Sequence, residues 1–172
     1  MSPPPPQSTG SWQSLDTECR LEGGGSTELT RLVVIEDQVE NDCLVKYIQD
    51  EFGDSTAKTY AIGVKMSDQY KGVYEWNHVT DDEHKNTLKF NNWAAAEPTG
   101  KTCATMDIAE GLVTSGLWKG ADCSTPSTIY AICEKVTMGQ TVENPEPFSL
   151  FVRLWGKKNR RGCGLRPSLG TV

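Results

Sequence analysis

A chain of 172 residues holds one domain with some surplus, and no run in it is long and apolar enough to span a bilayer. Apolar residues make up 37% of it and aromatics 8%, lean enough that cross-links are expected to support the core. The net charge of −6 conceals an asymmetry: from Val136 onward six Lys/Arg stand against two acids, a net +4, which leaves −10 on residues 1–135 and argues against that body binding nucleic acid by itself.

Residues 1–10 are proline-rich and polar, lack the apolar stretch of a signal peptide, and read as a disordered leader. Ser11 caps a first helix with Trp12, Leu15 and Cys19 on one face, and Gly23 to Gly25 end it. Leu32 to Ile35 form a short buried strand. Asp37, with Glu40 three residues on, resembles a capping box opening a second helix. That helix is expected to bury Val39, Cys43 and Tyr47, with Leu44, Ile48 and Phe52 beside them, and to stop at Gly53. The period then changes. Tyr60 to Val64 and Val73 to Trp76 read as strands, and a long polar stretch from Asn77 to Lys101 reads as a functional loop or as disorder. Short strands resume at Cys103–Met106, Leu117–Trp118 and Ile129–Cys133. Helices first and short strands afterwards predict an α+β domain.

The six cysteines are Cys19, Cys43, Cys103, Cys123, Cys133 and Cys163; none forms a CxxC pair, and His78 and His84 are not placed for zinc. A disulfide framework follows, and with it an oxidising, extracellular compartment. No nucleophile–base constellation, phosphate loop or HExxH motif is present, and the histidines read as loop surface, so the chain is not expected to be an enzyme.

Ordered along residues 11–135 are Trp12 with Cys19, Glu40-Asn41, Tyr60-Ala61-Ile62-Gly63-Val64, Trp76, Asn92-Trp93, Glu97-Pro98-Thr99, Trp118 before Cys123, and Ile132-Cys133-Glu134. Together they resemble the C-type lectin-like domain family. The resemblance implies a C-type lectin-like fold, two helices packed on short antiparallel sheets with a long-loop region, in an extracellular recognition module. It implies disulfides Cys19–Cys133 and Cys103–Cys123. Cys43 is left as a buried thiol or as a third bridge to Cys163.

In the sugar-binding members of that family, calcium is held by E-P-N, a following acid, and the Asn and Asp of W-N-D. Here Glu97 and Pro98 remain, but Asn becomes Thr99 and W-N-D becomes Trp118-Lys119-Gly120. No acid stands between Thr99 and Cys103. Calcium wants six to eight oxygens, several charged, and an ammonium at Lys119 repels it, so no cofactor is expected. Lys119 either pairs with Glu97 or stands in solvent, and Asp122 offers one carboxylate from a shifted register. The candidate ligand-binding residues are Glu97, Pro98, Thr99, Lys119 and Asp122. Asp81, Asp82, Glu83 and Asp107 read as a solvated loop face rather than a second calcium site. Trp76, Trp93 and Trp118 match core positions.

The expected function is carbohydrate binding with a degraded calcium site. The alternative is calcium-independent protein binding through residues 77–102 and 111–122. Residues 136–172 are expected to form a basic, flexible tail in which Phe148 to Val152 either add a strand or hang free.

Overall fold

The computed structural model describes residues 9–21, 28–52, 57–77, 88–109, 111 and 114–137. Strand β1 (Thr9–Gly10) precedes helix α1 (Trp12–Leu21), β2 (Glu28–Leu32) and helix α2 (Gln38–Phe52). Then follow β3 (Lys58–Met66), β4 (Tyr74–Trp76), β5 (Cys103–Ile108), β6 (Trp118–Ala121), β7 (Ser127–Thr128), β8 (Tyr130–Ala131) and β9 (Cys133–Thr137). This is the expected α+β arrangement. The first strand begins two residues before Ser11, and β9 runs two residues past Lys135. The Gly23–Gly25 stop, Gly53, and the Phe148–Val152 and basic-tail segments lie outside the described residues.

Local chemistry starts both helices. Ser11 Oγ accepts the Ser14 N–H at 3.2 Å, capping α1, whose buried side carries Trp12, Leu15, Asp16 and Cys19. Asp37 Oδ1 accepts the Glu40 N–H at 2.8 Å, but Glu40 Oε2 reaches one residue further back, to the Glu36 N–H. The buried side of α2 runs through Asn41, Leu44 and Ile48, with Val45 and Tyr47 half-buried. That corrects the expected face: Val39 lies outside the Asn41–Leu44–Ile48 stripe and is 65% exposed, and Cys43 is half-buried.

A five-stranded sheet has the order β4-β3-β5-β6, with β8 added parallel to β3, and small antiparallel pairs β1–β7 and β2–β9 stand apart. The buried Val33–Ile35 segment, expected as a strand, continues beyond β2 without strand assignment. It packs onto β3 at Gly63, where an added Cβ would stand 2.9 Å from the carbonyls of Leu32 and Val33. One core cluster gathers Val33, Ile35, Leu44, Ile62, Met106 and Trp118. The other joins Trp12, Leu15, Cys19, Leu32 and Cys133 around the α1 end. Cys19–Cys133 crosses the second cluster, and Cys103–Cys123 ties the start of β5 to the segment after β6. Cys43 is disulfide-bonded too, which decides against the free thiol; its partner falls outside the described residues.

Candidate functional site

Beneath the long loop, Trp118 is fully buried and meets three rings edge-on: Trp76 at 5.8 Å, Phe90 at 5.6 Å and Trp93 at 5.7 Å. Its indole N–H donates to Asn41 Oδ1 of α2 at 3.0 Å. The loop strand beside it is clamped in parallel, because the Trp118 N–H donates to the Asn92 carbonyl and the Ala94 N–H to the Trp118 carbonyl, both at 2.8 Å. Running alongside β6, the chain then turns at Ala94, whose carbonyl accepts the Glu97 N–H at 3.0 Å. Ala96 takes φ 66°, a left-handed conformation costly for a residue with a Cβ, and the Glu97–Pro98 bond is cis.

This path delivers Glu97 to Gly120. Glu97 Oε2 accepts the Gly120 N–H and the Thr99 N–H, each at 3.0 Å, and the Thr99 hydroxyl lies at 3.4 Å. The Gly120 N–H, followed by the Thr99 donors and the nearby Lys119 charge, holds the Glu97 carboxyl below its ordinary range, against a partial opposing push from burial. Oε1 accepts no hydrogen bond from the described residues.

Lys119 does not pair with Glu97. Its ammonium meets Asp107 Oδ2 at 2.5 Å, and Asp107 Oδ1 accepts the Thr59 hydroxyl at 2.8 Å. The ladder explains this: Lys119 lies opposite Thr105, and Asp107 sits two residues on along the same face of β5, diagonal to it. The second ammonium, Lys101, meets Asp122 Oδ2 at 2.8 Å across the end where Cys103 faces Ala121. Lys101 also accepts the Tyr74 hydroxyl on its carbonyl at 2.5 Å. Burial, reinforced by the Glu97 charge, pushes the Tyr74 hydroxyl's pKa up.

The five expected residues therefore fall in one region, but their pairing differs from expectation. Lys101, Tyr74 and Asp107 join them. Lys101 was signalled only by its place two residues before Cys103, across the Cys103–Cys123 bridge from Asp122.

Calcium does not fit these residues. One Glu97 oxygen is held by backbone donors, Gly120 has no side chain, and two ammonium groups neutralise the nearby acids. Among the described residues no group of three or more His, Cys, Asp or Glu is placed to hold a metal. Of the second expected acid cluster, Asp107 is committed to Lys119 and Thr59, and residues 81–83 lie outside the described set. No described helix is long and apolar enough to cross a membrane.

The lectin C-type domain family profile matches residues 8–135. No curated protein matches the chain significantly. Among solved structures, the C-type lectin CEL-I from Cucumaria echinata is similar at 18% identity, over 75% of this chain and 84% of that one, with a TM-score of 0.56. SPL-1, solved as a GlcNAc complex, is 18% identical over 78% of this chain and 86% of that one, at 0.54. The Ca²⁺-independent C-type lectin SPL-2 from Saxidomus purpuratus is 14% identical over 79% and 86%, also at 0.54. At these identities the likenesses carry the fold. With the profile match over most of its length, the chain belongs to the C-type lectin domain family.

Proposed function

We propose that this is an extracellular recognition domain that binds carbohydrate without calcium, through Glu97–Lys101 and Lys119–Asp122. The observation that carries it is the Glu97 carboxylate bound by the Gly120 and Thr99 N–H groups: the chain's own donors order the loop where the family uses a metal. Around that point the surface offers acceptors and donors together: Glu97 Oε1 and the paired Lys101 ammonium and Asp122 carboxylate on the Gly120 side, with the Lys119–Asp107 pair on the other face of the β5–β6 ladder. A sugar hydroxyl donates and accepts at once, so a strip of this kind suits it. Each ammonium is already balanced by a carboxylate, which favours a neutral, hydroxyl-rich glycan over an anionic one. The SPL-1–GlcNAc and SPL-2 structures support a sugar ligand and calcium independence as precedents on the same fold. The disulfides support an oxidising, extracellular setting. The recognition unit is residues 11–135 extended by two residues at each end, since Thr9–Gly10 pair with β7 and Val136–Thr137 complete β9.

The test is a glycan array, with GlcNAc among its sugars, probed with the oxidised chain in calcium and in EDTA. Equal binding of a neutral sugar in both is expected, with superimposable thermal melts. Binding that disappears in EDTA overturns the metal-free site. Binding to no glycan at all turns the function to the alternative, a protein ligand on the same loop surface.

A further inference from the structure

We infer that Tyr70, at the tip of the β3–β4 hairpin, is an aromatic subsite for a second ring of the glycan held at the loop site, an inference that rests on the function just proposed. Among the described residues four large hydrophobic side chains are exposed: Leu21 and Val39 on the helices, and Tyr70 and Val73 together on this hairpin. Tyr70, 65% exposed, is the one aromatic of the four. Its ring is not needed to hold the turn. The Val73 N–H donates to the Tyr70 carbonyl at 3.1 Å, the Ser67 N–H to the Val73 carbonyl at 2.8 Å, and Lys65 pairs with Asp68 at 2.9 Å. Gly72, at φ 83°, supplies the left-handed position.

The hairpin is fixed to the loop site. The Tyr74 hydroxyl donates to the Lys101 carbonyl at 2.5 Å, and the Met66 N–H to the Thr102 carbonyl at 2.7 Å. Register places them at one edge. Lys65 faces Cys103 and Cys103 faces Ala121, so the hairpin tip, Lys101 and Asp122 all leave the same end of three neighbouring strands. Two strand spacings, about 10 Å, separate β3 from β6 where they leave the sheet, and Tyr70 stands four residues beyond that edge. A pyranose has a rim of hydroxyls and a face of C–H groups. The hydroxyls of a first ring suit the charged strip, and the C–H face of a linked second ring suits an exposed aromatic rigidly held alongside.

The experiment compares matched monosaccharides and trisaccharides of the neutral sugars bound on the array, titrated into the full oxidised chain. Tyr70→Ala should weaken the trisaccharide by between about twofold and tenfold, leaving the monosaccharide and the melting temperature unchanged. Tyr70→Phe should bind both like the parent chain, and Lys101→Met should weaken both lengths. A Tyr70→Ala chain that binds the trisaccharide as tightly as the parent overturns the subsite and leaves the loop site standing. Equal weakening of both lengths also overturns it, because Tyr70 would then belong to the first ring's contacts. A parent chain that binds no sugar of either length overturns the subsite together with the function it rests on.

Discussion

A Cβ built on Gly120 would stand 2.9 Å from Lys101 Cβ, 3.0 Å from its Cγ and 3.1 Å from Glu97 Oε2. The first two contacts are with the root of a side chain whose far end is paired to Asp122, so Lys101 has little room to retreat. A side chain here therefore forces Lys101 to shift and crowds the Glu97 carboxylate that accepts the Gly120 N–H. Gly120→Ala should cost about 1–3 kcal/mol, the usual range for overpacking, read by chemical denaturation. The same crowding bears on calcium. Placing the family's Asn and Asp at this point, as Lys119→Asn with Gly120→Asp, supplies two ligands but no room for the second. The double variant should show no calcium binding tighter than about millimolar by calorimetry. A tighter isotherm would mean that ligand identity alone, not the packing of Lys101 against Gly120, keeps the metal out.

At the scale of the element, α2 supports the site through Asn41 and carries a pH response through Glu40. Asn41 is 1% exposed, and its Oδ1 is the acceptor for the buried Trp118 indole N–H. Asn41→Ala leaves that donor without its partner, at a cost of about 1–3 kcal/mol by denaturant unfolding. Trp118 immediately precedes Lys119 and Gly120, so the proposed sugar binding should weaken as well. Burial above all pushes the Glu40 carboxyl up to about 7, with Glu134, Glu36 and Asp37 adding repulsion and the Glu36 N–H opposing. The folded state thus holds this proton more tightly than the unfolded chain. Its contribution is full below the ordinary carboxylate value of 4.5 and is lost as pH rises through about 7. Between pH 5 and pH 8 the parent chain should lose more thermal stability than Glu40→Gln, which stays neutral; parallel losses would remove Glu40 as the cause. The cap residues and most of the α2 face were legible in sequence, because spacing within one helix fixes them. Val39 was misplaced because several phases fit so short an apolar pattern, and the partner surface chooses among them. The Lys119–Asp107 and Lys101–Asp122 pairs were not legible, because both depend on the β5–β6 register, which brings together residues 12 and 21 apart in the chain.

For the whole molecule, the two described disulfides pack into one core cluster but differ in span and in their distance along the chain from Lys101 and Asp122. Both pairings followed from the family resemblance rather than from spacing, since six cysteines allow many connectivities. Cys19–Cys133 spans 114 residues and joins α1 to β9 through the smaller core cluster, into which Cys103 and Cys123 also pack. Cys103–Cys123 spans 20 residues and stands at the strand end that places Lys101 across from Asp122. Loop-closure entropy alone assigns about 5 kcal/mol to the long bridge and about 3 kcal/mol to the short one. Replacing Cys19 and Cys133 by Ala should therefore cost more stability. Replacing Cys103 and Cys123 should cost more binding, because β5 and the segment after β6 are then free to splay and the charged strip loses its spacing. Denaturant unfolding and sugar titration on both double variants, at a temperature where each is folded, check the two orders separately. If the Cys103/Cys123 variant keeps the parent affinity, the β5–β6 ladder holds the strip by itself, and the short bridge serves only the stability of the unit.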